Sequence, residues 1–190
     1  MARKQIISCD ILLDHAWEIA KSEGILAVTS RSVAASVGCS IQPVFSHFPT
    51  MEDLRKATFV YACNRLEQDY QSDIIRVQDP LDDIVHRLLD VARNQPHLYR
   101  LCYLSGNDYC QGPENPAMKF QSNRMFLQKL QADTGLDIIT CQDIFLRALM
   151  MIYGIATMVC VNGLDCSEEK AKEMVVHTVK DMIFSASRNK

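Results

Sequence analysis

The side chains able to do covalent or metal chemistry are spread through this chain without a pattern that such chemistry could use. The five histidines stand at 15, 47, 86, 97 and 177, and no two have the H-E-x-x-H spacing that places a pair on one helical face for zinc. A G-x-S-x-G nucleophile elbow and a glycine-rich phosphate loop are both missing from the sequence. The eight cysteines, at 9, 39, 63, 102, 110, 141, 160 and 166, include no C-x2-C pair, which argues against a zinc site or a disulfide framework. They read as small buried hydrophobes in a reducing compartment; redox sensing would need an exposed thiolate. Neither an enzyme nor a resident cofactor or metal is expected. The spacing that does carry a message is noncovalent. It lies between Thr29 and Phe48: T-S-R-S-V-A-A-S-V-G-C-S-I-Q-P-V-F-S-H-F.

That stretch predicts two short helices and a tight turn. Thr29 or Ser30 can cap the first helix, because a hydroxyl accepts a bond from an orphan backbone N–H. Val33, Ala34 and Val37 give it a narrow apolar stripe, and Gly38 supplies the left-handed stop. Ser40 can cap the second helix, and Pro43 fits only within its first turn. Val44, Phe45 and Phe48 are read as its buried side. Small Ala34 and Ala35 let the two helices approach closely. One helix that buttresses and a second free to lie in the major groove is what a helix-turn-helix requires.

Other elements must hold that pair in place. Gln5 to Glu23 reads as a first helix, with Ile11, Leu12, Ala16, Ile19 and Ala20 on one face and Trp17 at the core edge, ended by Gly24. Thr50 with Glu52 and Asp53 opens a fourth helix expected to reach about Val77, with Leu54, Ala57, Tyr61, Leu66 and Tyr70 inward. Asp79-Pro80 starts a fifth helix and Gln95-Pro96 breaks it; a short helix follows to Leu104. Ser105 to Pro116 is the clearest loop. Helices are then expected over 117–132, 138–161 and from Ser167 onward, the last with Ala171, Met174, Val175, Thr178, Val179, Met182 and Ile183 on one face. The segment from Ile138 to Val161 is apolar nearly all round, so it needs cover on every side. One subunit of this size would struggle to supply it. A homodimer through a four-helix interface of about 138–162 and 167–186 is therefore expected.

Composition agrees with an all-α protein. Gly and Pro are few, at 7 and 6, and strand-like alternation is scarce in the 190 residues. A hydrophobic fraction of 48% supports a real core. No run of about 18 uninterrupted apolar residues occurs, so no membrane span is expected. An acid at Asp10 precedes any signal-peptide core, which points to the cytoplasm. The net charge is −3, and the first fifty residues are neutral, with Arg3, Lys4, Lys21 and Arg31 against Asp10, Asp14, Glu18 and Glu23. A basic footprint of the kind that marks many DNA binders is thus not visible in the totals.

With these residues in hand, the chain resembles the tetracycline-repressor (TetR/AcrR) family of bacterial regulators. The likeness is strongest over about 11–54. It rests on Ala16, Gly24, Thr29, Arg31-x-Val33-Ala34, Gly38-x-Ser40, Phe45, His47-Phe48-Pro49 and Glu52 with Leu54. The resemblance implies an N-terminal three-helix DNA-binding domain at 1–50 and a helical ligand-binding and dimerisation domain at 51–190. It implies a ligand-responsive transcriptional regulator, usually a repressor, that binds a palindromic operator as a homodimer and is released by a small molecule. Gln42 would face base edges, pairing with adenine, and Ile41 would touch a thymine methyl. Thr29, Ser30, Arg31, Phe45 and His47 would hold phosphates, with Ser40 at the start of the recognition helix, and Arg3 and Lys4 would reach the backbone or minor groove. Ligand candidates are Tyr61, Tyr99, Tyr103, Met118, Met125, Phe126, Arg147, Met151 and Tyr153. The sequence departs from the family pattern at Phe45, where a Tyr is usual, at Met51, where a Lys is common, and at Pro43. Those departures sustain an alternative: a helical ligand-sequestering or protein-interaction module that has lost specific DNA binding. The operator, the effector and the sign of regulation are not written in the sequence.

Overall fold

Ser8 begins the described architecture as the cap of α1 (Cys9–Glu23), its Oγ accepting from the Ile11 N–H at 3.4 Å. The computed structural model describes residues 7–73, 79–105 and 121–188. After α1 come a short 3-10 turn at Ile25–Ala27, α2 (Ser30–Val37), α3 (Ile41–His47) and α4 (Met51–Asp73). α5 (Pro80–Asn94) is followed by α6 (Pro96–Tyr99), which widens into a π turn at Arg100–Leu104. α7 (Gln121–Thr134), α8 (Ile138–Cys160) and α9 (Glu168–Arg188) complete it. No strand occurs among the described residues.

The chain divides into two compact units. The first comprises residues 1–66 with 97–111, and the second residues 67–96 with 112–190. The boundary expected at residue 50 is the start of α4; most of that helix, through Leu66, groups with α1 to α3.

The core of the first unit is built on α1. Leu12, Ala16, Trp17, Ile19 and Ala20 are buried against α2 and the 3-10 turn. Two expectations need correcting here. Ile11 flanks the stripe that Leu12 centres and is exposed, and Trp17 lies in the core, not at its edge. α4 opens with a reciprocal box: Asp53 N–H donates to Thr50 Oγ1, and Thr50 N–H donates to Asp53 Oδ2, both at 3.0 Å. Its inner stripe runs Leu54, Thr58, Ala62, Leu66, with Phe59 alongside. Ala57, Tyr61 and Tyr70, read as inward, are only half-buried. Thr58 is tolerated inside because its hydroxyl donates to the Leu54 carbonyl at 2.7 Å. Arg55 reaches across to the Leu26 and Val28 carbonyls, tying α4 to the connection before α2. Gly24 ends α1 at φ +90°, with the His97 imidazole so close that a Cβ there would sit 3.1 Å from Nδ1. Leu98, Tyr99 and Leu101 are buried.

In the second unit α5 is buried almost all round. Asp79 caps it, accepting from the Leu81 N–H at 2.9 Å, and Pro80 occupies the first helical position. α5 packs against α7, α8 and α9. His86 Nδ1 pairs with Glu168 Oε2 at 2.9 Å, Lys172 pairs with Asp82, and Arg93 Nη2 donates to the Cys166 carbonyl at 2.8 Å, so three polar clamps fasten the start of α9 to α5. α8 is capped by Asp137, whose carboxylate accepts from the Thr140 backbone and hydroxyl; those bonds hold the Asp137 carboxyl below its ordinary range. By length and composition α8 could cross a membrane, at a mean hydropathy of 1.6, but half of its most apolar stretch is buried within the protein. Of the expected α9 face, Ala171, Val175 and Val179 are buried, whereas Met174 is exposed.

Candidate nucleic-acid interface

The first turn of α2 is closed from within. Thr29 Oγ1 accepts the Ser32 N–H at 3.0 Å, and Ser32 Oγ accepts the Thr29 N–H at 2.9 Å, a complete capping box. Ser32 Oγ also donates to the Ala27 carbonyl at 2.7 Å. Ser30 is buried, and its N–H points at the Met51 thioether, 3.4 Å away. The three residues expected to hold phosphate at this turn therefore differ. Thr29 is engaged as the cap and Ser30 is inside, while Arg31 stands in solvent.

The turn itself follows from Gly38. At φ +77°, ψ +35° it is left-handed, its N–H meets the Ala35 carbonyl at 3.2 Å, and the Cys39 N–H meets the Ala34 carbonyl at 2.9 Å. This pair of backward bonds is the Schellman arrangement that closes a helix and redirects the chain. Ser40, extended and exposed, leads into α3 without a side-chain capping bond.

α3 has one row in the core and another out of it. Val44 and Phe48, four apart, are buried, whereas Ile41 and Phe45, also four apart, are 46% and 44% exposed. Phe45 thus leaves the buried side expected of it, because it is one residue, about 100° of helix, from the row that Val44 and Phe48 define. Gln42 is exposed beside it, and Ser46 Oγ donates to the Gln42 carbonyl at 2.9 Å. His47 is exposed, and its Nε2 meets the Ile7 carbonyl at 3.1 Å, so the segment ahead of α1 is tied to the end of α3. Arg3 and Lys4 lie outside the described residues. α1 and α2 are linked at their surface by His15 Nδ1 and Ser36 Oγ, 2.7 Å apart.

The ligand candidates fall into both units. In the first, Tyr61 hydrogen-bonds Asp14, a contact that raises its phenol above the ordinary value, and it borders an open groove with Leu13, Lys56 and Val60. Tyr99 and Tyr103 face each other with centroids 5.2 Å apart, Tyr99 fully buried. In the second unit Phe126 packs on Phe145 at 6.1 Å, Met125 is exposed, and Met151 and Tyr153 are half-buried. Arg147 stands in solvent on α8 and pairs with Asp143 one turn earlier at 2.9 Å. Met118 lies outside the described residues. Among the described residues the buried arginine is instead Arg87, 1% exposed in α5. Its position continues the Pro80, Ile84, Val91 stripe, which is the signal that could have found it.

A helix-turn-helix joined to a second, all-helical unit is a known class of architecture, and the whole fold is that of the TetR-family transcriptional regulators. SCO7222, a TetR from Streptomyces coelicolor, matches at a TM-score of 0.67 over 95% of this chain and 99% of its own, with 13% identity. A TetR transcription regulator from Haloarcula marismortui matches at 0.60 over 93% and 96%, with 19% identity. The multidrug binding protein EbrR, solved with ethidium, matches at 0.56 over 89% and 96%, with 18% identity. No protein-family model and no curated protein matches the sequence.

Proposed function

We propose that this protein is a ligand-responsive transcriptional regulator, acting as a repressor that binds a palindromic operator as a homodimer in the cytoplasm. The observation that carries the reading is the outer row of α3. Ile41, Gln42 and Phe45 stand out of the core on a seven-residue helix that Val44 and Phe48 hold down. Apolar residues so placed want a partner, and on the second helix of this motif the partner is the major groove. Gln42 reads adenine, Ile41 meets a thymine methyl, and Arg31 and His47 hold phosphate. Ser40 and Phe45 flank the contact, and Thr29 and Ser30 position Arg31 from inside. Arg3 and Lys4 serve as the arm.

Dimerisation is assigned to α8 and α9. Leu146, Met150 and Met158 are exposed along one side of α8, with Gly154 at the same spacing, and Met174 and Phe184 are exposed on α9. Two copies would close these rows into a four-helix interface and set two recognition helices about 34–36 Å apart. A small molecule in the second unit, where Phe126, Met151 and Tyr153 sit, releases the operator. EbrR, which binds ethidium, supports an effector of that size. α4 contributes residues to both units and is the element through which the effector acts. Coupling of about 1–3 kcal/mol would suffice for a useful switch.

The test is binding to an enriched duplex, titrated with salt, for the native protein and Gln42→Ala. A site-specific loss in the variant supports the regulator. Weak, sequence-blind binding that disappears with salt would instead favour a sequestering module without specific DNA recognition.

A further inference from the structure

α5 buries two charged side chains one turn apart: Asp83 is 5% exposed and Arg87 is 1% exposed. The guanidinium is anchored at Nη2, and its Nε is buried without a hydrogen bond among the described residues. Arg87 Nη2 donates to Asn123 Oδ1 of α7 at 3.2 Å, and its Cζ lies 5.9 Å from the Tyr70 ring centroid. It is also near enough to Tyr153 of α8 to oppose the rise that burial imposes on that phenol. Asp83 Oδ2 is also shut off from solvent and accepts no hydrogen bond among the described residues. Its charge is compensated, because it lies in the first turn of α5, where the helix dipole favours an anion, and Arg87 follows one turn on. Neither the dipole nor a cation a turn away fills the lone pairs of Oδ2, and an unfilled buried acceptor is costly.

We infer that Asp83 marks the effector site of the second unit, and that the effector is a small uncharged molecule donating an O–H or N–H to Asp83 Oδ2. This rests on the regulator reading and narrows its ligand. Asp83 and Arg87 together carry no net charge. An ammonium or carboxylate ligand would add a buried charge with no counterpart, whereas a neutral donor completes the acceptor and leaves the balance intact. Asn123 and Ser122 are buried uncharged polar residues on α7, which packs against α5.

The experiment uses the full chain and a library of size-matched fragments in three equal groups: alcohols and amides, ammonium ions, and carboxylates. Binding is read by ligand-observed NMR and repeated with Asp83→Asn, whose fold is checked by its melting curve. The expected result is a set of alcohol or amide fragments that lose affinity about tenfold in the variant. Hits that depend on Asp83 but are ammonium ions or carboxylates would overturn the class. Hits that all ignore the variant would overturn the site and leave a buried water as the donor. Should Asp83→Asn not fold, hydrogen exchange in the native protein decides: a bound alcohol or amide must protect residues 80–94, and failure to do so overturns the site. The readout is independent of DNA. Loss of DNA selection with Asp83-dependent binding intact removes only the regulator reading; the converse removes only this assignment.

Discussion

Arg31 and Gln42 would fail in different ways. Gln42→Ala is expected to cost about 1–3 kcal/mol on the preferred duplex and little on others, flattening sequence preference. Arg31→Ala should weaken all duplexes about evenly and lower the salt slope by about 1. Competition binding across two salt concentrations separates the two outcomes. His86 makes a pH prediction. The Glu168 carboxylate raises its native value, burial opposes the rise, and Asp90 and Asp83 add to it. A native value above the unfolded one means that the stabilisation is complete below about 6.5 and fades as pH rises through the native value. Melting temperatures of the native protein and His86→Ala should therefore differ most near pH ~5.5 and draw together as pH rises through the native value of His86. Convergence at the low end would contradict the assignment. At this scale the roles of Gln42 and Arg31 are implied by the resemblance to the TetR family, and the structure leaves both side chains exposed. Arg147 stands in an apolar helix, yet Asp143 sits four residues before it and both face water. Arg87 and Asp83 drew no reading from the sequence; α7, α8 and α9 pack against α5, and both side chains are buried.

Elements were the most legible level, because their ends are written in caps. Gly38, Thr29, Thr50 and Asp79-Pro80 each stop or start a helix as local chemistry requires. Gly38 gives the sharpest test. Nothing lies within 4 Å of a Cβ built there, so only its φ of +77° penalises a side chain. Gly38→Ala should cost about 1–2 kcal/mol in urea melts, and Gly38→Asn clearly less, since Asn tolerates the left-handed region. Equal costs would mean a steric cause. The faces of helices were harder to read than their ends. Phe45 was placed inside because an aromatic beside Val44 and Phe48 reads as core, but a helix of two turns has room for one buried row. In α4 the true stripe passes through Thr58, a polar residue that backbone bonding makes acceptable inside.

At the scale of the whole molecule the proposed function depends on symmetry. Under the proposed function two short recognition helices would read enough bases only as a pair, and the exposed rows of α8 and α9 are where the pair would form. Met150→Lys, at a position 62% exposed in the single chain, should leave the fold intact and shift sedimentation at micromolar concentration from dimer to monomer. The all-α class, the N-terminal motif and the closing helices were legible in the sequence. That residues 97–105 group with the N-terminal helices is something no local pattern encodes. The most direct measurement is selection of the purified dimer against random duplexes. Two-fold symmetric half-sites centred about one helical turn apart are the predicted result. Enrichment of no sequence, or of a single asymmetric half-site bound by a monomer, would contradict it.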